Sequence, residues 1–356
     1  MAILNDEQEM LRDMARDWAS KESPVTEWRK VRAGGQPEAF NRDAYSAMAE
    51  MGWTGVIIPE EHGGSDFGWL SAGLVIEELG KTLTASPLIA NTVAASAIIL
   101  GGSEEQKAAW LPKLASGEAI ATLAIDESAR HNPAAIETSA AGGTVSGTKA
   151  FVHEAHSADL FVVAAQDGLY LVENGQGVSL SSRKLADLRS HAEVSFDNAP
   201  AQKLEGGGDD LLEQVLDRAR ILTACEMLGM AQAVFDTTLD YLKQRVQFNQ
   251  VLATFQSLQH RMADLFGDLA QMRSAVEGGL QALDSGFGVA RAATIAKAEA
   301  NRVLHAISRE GLQLHGGIGM TDEYDIGFYL KRARVLEASW GSTPWLRGRF
   351  AGISGY

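Results

Sequence analysis

The chain has 356 residues, 31 Lys and Arg against 46 Asp and Glu, and a formal net charge of −15. At roughly 100–200 residues per domain the length predicts two or three domains, and a chain 46% hydrophobic and 22% charged is expected to be globular rather than disordered. An acidic protein repels phosphate backbones, which argues against a nucleic-acid role, and the single cysteine, Cys225, excludes an intrachain disulfide and a cysteine-rich metal site.

From residue 1 to 118 the pattern is helical. The opening stretch MAILNDEQEMLRDMARDW is acidic and has no apolar h-region, so it does not read as a secretory signal. Asn5 and Gln8 are spaced as a capping box, followed by Leu11, Met14, Ala15 and Trp18 on one helical face. Further helices are expected over residues 42–51, ending at Gly52, and 70–79, ending at Gly80, with the Gly- and Pro-punctuated GWTGVIIPEEHGG as a loop between them. Residues 86–100 are small and apolar all round, which predicts a buried helix. Ser103 and Gln106 form a second capping box. No apolar run reaches the 18 or so residues that a bilayer demands, so the expectation is a soluble, cytoplasmic protein with no membrane span.

Residues 119–206 lose the helical period. The runs TVSG, KAFVH, LFVVAA, LYLV, VSLSS and EVSF, separated by turn pairs, predict short strands in a small sandwich or barrel. Asn174-Gly175, flanked by LYLV and VSLSS, predicts a hairpin. From 207 to 356 the helical period returns. One long helix carries Leu211, Val215, Leu222, Met227 and Ala231 toward Lys243; a second carries Leu258, Met262, Leu265, Leu269 and Met272; a third, Ala-rich, spans 289–313. Long antiparallel helices of this spacing predict a four-helix bundle, with the glycines at 206–208 as the link from the strands.

Spacing alone says little about chemistry. Arg245, near Phe248 and Gln256 at a helix end, offers a planar fork for a phosphate or carboxylate, or is an exposed surface arginine. The glycines of LQLHGGIGM, 312–320, permit close backbone approach to a ligand, or stop a helix. They lack the G-x-G-x-x-G spacing of a dinucleotide fold, and no strand precedes them. The eight histidines are scattered; His62, His131, His153, His156 and His315 fall in expected loops or strands, where a lone histidine is usually structural. Metal chemistry is not expected.

Six segments, in order from residue 55 to residue 334, resemble the acyl-CoA dehydrogenase family of flavoproteins: GVIIPEEHGG, VIEELGK, GSEEQKAAWLPKLASGE, SGTKAFV, RVQFNQVLATFQSLQHRMAD and LQLHGGIGMTDEYDIGFYLKRAR. The resemblance implies an α+β fold: an N-terminal helical domain (1–118), a middle β-sandwich or barrel (119–206) and a C-terminal four-helix bundle (207–356). It implies FAD, with Phe151 packing near the isoalloxazine ring and His153 as the polar position two residues on. Arg245, Phe248, Gln256, Gln313, Gly316 and Gly317 match positions that hold the FAD of a neighbouring subunit, which implies a dimer or tetramer. The implied reaction is α,β-dehydrogenation of an acyl-CoA thioester, within lipid or fatty-acid β-oxidation, with electrons passed to an electron-transfer flavoprotein.

The family's proton-abstracting glutamate has no counterpart at either usual position. The Y-E-G-T-like loop aligns with RARVLEASWGST and puts Trp340 where Glu is expected; the position before an arginine on the first bundle helix is Ala219, followed by Arg220. Arg220 and Trp340 are therefore candidate substrate contacts. Two carboxylates are candidate replacements. Glu226, seven residues after Ala219 and on the same face, is a base or one half of a buried structural pair. Glu337 turns inward as a base or stays a solvated helix residue. The loop IDESARHNP, 125–133, also departs from the family's E-P-G-x-G-S-D form. These departures are similar to members that assemble as mixed oligomers of two related subunits and act on bulky, including steroid-type, acyl-CoA thioesters. There one subunit supplies FAD contacts and the other the base, so this chain is expected to be an active dehydrogenase or a half-site subunit.

Overall fold

The computed structural model describes residues 4–356; Met1 to Ile3, at the head of the stretch weighed as a secretory signal, lie outside the described residues. Helices dominate both ends of the chain and two sheets lie between them. Two compact units result, and neither is one consecutive stretch: one gathers residues up to 25, 73–84 and 220–356, the other 26–72 and 85–219.

The second unit holds α2 (Val25–Gly34), α3 (Arg42–Glu50), α5 (Leu88–Gly101), α6 (Glu104–Ala115) and all eight strands of the β region. The strands are β1 (Ala121–Ala124), β2 (Ser139–Ala141), β3 (Thr144–His153), β4 (Leu160–Ala165), β5 (Gly168–Glu173), β6 (Val178–Ser182), β7 (His191–Pro200) and β8 (Gln202–Lys203). They form two four-stranded sheets, ordered β1-β4-β5-β8 and β2-β3-β7-β6, antiparallel except for the β1–β4 pair. The inner faces meet as a sandwich: Phe161 of β4 stands edge-on to Phe196 of β7 at 5.9 Å, among Val145, Val152, Val163, Val172 and Val194. Helix α5 lies against β1 and β4, so β4 is buried along its whole length, which is why LFVVAA is continuously apolar rather than alternating. Asn91 of α5 ties this layer together, donating to the Leu114 carbonyl at 3.2 Å and accepting from the Ala121 amide at 3.1 Å.

The hairpin expected at Asn174-Gly175 does not form. β5 and β6 belong to different sheets. The Asn174 side chain and amide bond to the Ala158 carbonyl and the Asp159 carbonyl, both at 2.9 Å, and the chain turns between sheets at Gly175 to Gly177. An Asn-Gly pair supplies the turn, but partner choice was decided by the apolar face of each strand. TVSG and KAFVH, read as two runs, are one continuous strand, β3.

The first unit holds α1 (Asp6–Glu22), the later part of α4 (Gly68–Lys81), and, from Arg220 on, α7 (Leu211–Gln244), α8 (Gln256–Ser285), α9 (Val289–His315), α10 (Ile326–Ala338) and α11 (Thr343–Ile353). Helices α8, α10 and α11 each pack on α9. The capping box at Asn5 and Gln8 is present, as is that at Ser103 and Gln106 in the other unit. The α4–α7 crossing is unusually close: a Cβ on Gly229 would sit 1.9 Å from the Glu77 carbonyl oxygen, and one on Gly80 would sit 2.4 Å from that of Glu226. Only glycine permits that approach. No helix among the described residues is long and apolar enough to cross a membrane.

Candidate active site

One end of the helical bundle gathers six of the sequence-selected residues. α7 stops at Gln244, and a short hairpin of β9 (Val246–Gln247) and β10 (Gln250–Val251) returns the chain to the start of α8. At its tip Phe248 and Asn249 take left-handed φ values of 52° and 62°, and Phe248 is 84% exposed, edge-on to Phe255 at 6.3 Å. The end of α9 is fastened to this region. Tyr241 of α7 stacks on His315 at 4.4 Å and donates its hydroxyl to the His315 carbonyl at 3.3 Å, while Arg261 of α8 donates to Glu310 of α9 at 2.8 Å. Arg245, Phe248, Gln256, Gln313, Gly316 and Gly317 are thus exposed together.

Three features suit this end to an anionic, aromatic ligand. The Arg245 guanidinium has no ion-pair or hydrogen-bond partner among the described residues. Gly316 ends α9 at φ 65°, and no atom lies within 4 Å of where a Cβ on Gly316 or Gly317 would be, so the backbone is open to approach. His315, 3% exposed, donates Nδ1–H to the Gly311 carbonyl at 2.7 Å; its Nε2 is buried without a partner among the described residues. Burial holds this imidazole below its ordinary pKa, outweighing the bond to Gly311. Tyr241 and Tyr324 flank the His315 ring; Tyr241 lies outside every motif, and Tyr324, though inside LQLHGGIGMTDEYDIGFYLKRAR, was not singled out because spacing does not show the stack.

A second group of residues surrounds the Trp340 turn. Both candidate carboxylates are engaged. Glu226 is bound by Arg332 through both oxygens, at 2.8 and 3.0 Å, so of the two roles weighed for it the structure contains the buried pair. Glu337 is not a solvated helix residue: its Oε2 lies 3.0 Å from Arg334 and 3.1 Å from His305 Nδ1, and its Oε1 is buried. Arg220 is fully buried, donating from Nε to the Trp340 carbonyl at 3.0 Å and lying over the Trp345 ring at 4.9 Å. It holds the turn rather than reaching toward an open pocket. Buried Lys297 donates to the Leu336 carbonyl at 2.9 Å and to Asn301 Oδ1 at 2.6 Å; burial pushes its pKa down to about 7, against the pull of Glu337 and with Arg220 adding to the fall. Sequence reasoning passed over Lys297 because a lysine in an Ala-rich helix reads as surface.

In the sandwich, Phe151 and His153 lie on β3. Phe151 takes φ 53° where the pairing with β7 slips between Lys149 and Val152, a strained conformation for an aromatic residue. The divergent loop is anchored beside it. Lys149, fully buried, donates to the Ile125 carbonyl at 3.0 Å and to Glu127 at 2.7 Å. Glu127 also accepts from the amides of Glu137 and Thr138, at 2.6 and 2.9 Å, and from the Thr138 hydroxyl. Burial opposes ionisation of Glu127, but the bonds from Lys149, Thr138 and the amides prevail and bring its pKa down to about 2. His153 faces the His191 ring at 4.5 Å, and its carbonyl accepts from Thr122 at 2.7 Å.

Residues 5–118 match the acyl-CoA dehydrogenase N-terminal domain, and residues 206–351 match the acyl-CoA dehydrogenase C-terminal domain. The chain belongs to the acyl-CoA dehydrogenase family. Acyl-CoA dehydrogenase IpdE2 of Mycolicibacterium smegmatis is 31% identical over 93% of this chain and 93% of its own. Among solved structures, the Tcur3481-Tcur3483 steroid ACAD superposes with a TM-score of 0.92 at 28% identity, covering 98% of each chain. A chain from the structure of the electron transferring flavoprotein of Acidaminococcus fermentans gives 0.90 at 27%, covering 100% of this chain and 99% of that one. This acyl-CoA dehydrogenase is accordingly an oxidoreductase of CH–CH bonds in acyl-CoA, with FAD as its cofactor. Each unit by itself carries features that fit that group: the open glycine backbone and Arg245, whose guanidinium has no partner among the described residues, in the first, and the strained aromatic at Phe151 in the second.

Proposed function

We propose that this chain is the FAD-holding subunit of an acyl-CoA dehydrogenase for bulky acyl thioesters, completed by a related subunit that supplies the proton-abstracting carboxylate, and that its electrons pass to an electron-transfer flavoprotein. The observation that carries this reading is the Glu226–Arg332 pair. Glu226 is held at both oxygens, Glu337 is bonded to Arg334, and Trp340 and Ala219 occupy the two usual base positions, so among the described residues none of these four positions offers a disengaged carboxylate. The two-component name of the steroid ACAD and the electron transferring flavoprotein among the structural relatives support the partner and the acceptor.

The chemistry FAD supplies when bound is acceptance of the electrons removed from the CH–CH unit. Arg245 would meet the pyrophosphate of a neighbouring subunit's FAD as a planar, permanently charged donor. Gly316 and Gly317 would admit the adenosine part of that same neighbouring FAD against bare backbone. Phe151 would pack beside the isoalloxazine and exclude water, and His153 would offer a polar contact two residues on. Trp340 forms an apolar wall near the α-carbon, where removal of the proton falls to the partner subunit's carboxylate.

The test is anaerobic mixing of flavin-loaded protein with a panel of acyl-CoAs, alone and after co-purification with its native partner. Bleaching with bulky thioesters is expected for the mixed oligomer and not for the isolated chain. Rapid bleaching by the chain alone would reject the half-site reading, and no bleaching in either form would reject the dehydrogenase.

A further inference from the structure

Helix α10 ends at Ala338, and the last carbonyls of any helix lack intrahelical donors. At a surface, water serves them. Here Leu336 and Gly341 are buried, and three side chains do so instead. Lys297 donates to the Leu336 carbonyl at 2.9 Å. Asn301, one helical turn further along α9 and itself accepting from Lys297, donates to the carbonyls of Glu337 and Gly341 at 3.4 and 3.3 Å. Arg220 donates to that of Trp340 at 3.0 Å. Lys297 and Arg220 are 0% exposed and Asn301 2%. The segment they grip is strained at Trp340, which sits at φ 59°, and turns on through Gly341 at φ 121°, open to glycine. A bulky residue in the left-handed region persists only where its surroundings over-determine it.

An ammonium inside a helical core is costly unless its protons are bonded. Lys297 meets that condition in part, bonding a carbonyl at the negative end of α10 and the Asn301 amide that reaches across the turn. We propose that Lys297, acting through Asn301, is a positioning residue that locks the Trp340 turn, so that the Trp340 ring stands as a fixed wall and sets which acyl groups are accepted. The selectivity rests on the reading given under Proposed function; the locking rests on the geometry of this chain alone.

Two variants test it in the full-length protein co-expressed with its partner. Lys297→Met keeps the length and removes the charge; Asn301→Asp keeps the partner of Lys297 and removes the donors to Glu337 and Gly341, and carries the test if Lys297→Met does not fold. Amide hydrogen exchange over residues 337–343 is expected to accelerate about tenfold or more, with the β4 and β5 amides unchanged. Unchanged exchange, or equal acceleration everywhere, overturns the locking. Relative kcat/KM across the acyl-CoA panel is expected to shift as it does in Trp340→Ala, with no further shift in the double variant. Additive shifts, or an unaltered preference, overturn the selectivity. If no acyl-CoA reduces the unmodified protein, the functional reading fails and selectivity with it, while the exchange measurement still decides the locking.

Discussion

Arg332 grips both oxygens of Glu226, and the two side chains are only 11% and 9% exposed. A carboxylate held through both oxygens by a guanidinium is a structural counter-ion, its lone pairs already taken by two charge-assisted bonds.

Glu226→Gln is therefore expected to cost about 3 kcal/mol of stability, the scale for breaking one side of a buried pair. The check is the denaturant midpoint. Flavin bleaching by acyl-CoA, per folded and partnered protein, should be unchanged; lost bleaching at full stability would return Glu226 to the role of base.

Arg245→Ala is expected to weaken FAD binding about 10- to 100-fold, the equivalent of one lost charge-assisted contact to phosphate. Fluorescence titration of the flavin-free protein measures it. An unaltered affinity would remove Arg245 from the cofactor's grip.

Acid stability should depend on Glu127. Its folded pKa is about 2, below the ordinary 4.5, so between those values the unfolded chain binds the extra proton. The stabilisation is complete above about 4.5 and is lost as the pH falls through about 2. Unfolding measured across this window should show a slope that Glu127→Gln flattens; equal slopes would contradict the anchor role.

Gly229→Ala tests the helix crossing. Its methyl would meet the Glu77 carbonyl oxygen at 1.9 Å, so α4 and α7 must separate, at a cost of about 1–3 kcal/mol. Thermal unfolding checks this, and a stability equal to that of the parent would show that the crossing relaxes freely.

The long periodic helices and both capping boxes were legible in the sequence, because a helix is a local object whose period and caps are written within a few turns. Helices α2, α10 and α11 were missed: they are short, and packing on neighbours rather than a strong period holds them. β1 and β2 were missed for the same reason, and the Asn174 turn was misassigned because strand pairing is a long-range choice. At the site, the motif residues were readable one by one. The partners that decide their chemistry were not: Arg332 is 106 positions from Glu226, and Trp340 is 120 from Arg220. Separations of that size leave no trace in spacing.

The helical unit draws on three stretches of chain, the last beginning at Arg220. During synthesis its opening helix and the later part of α4 leave the ribosome long before the helices they pack with. The unit that holds the sandwich, whose last strand ends at Lys203, is wholly synthesised by residue 219. The first unit cannot close until residues 220–356 are made, so its early helices wait with their packing faces uncovered, an exposure that favours aggregation.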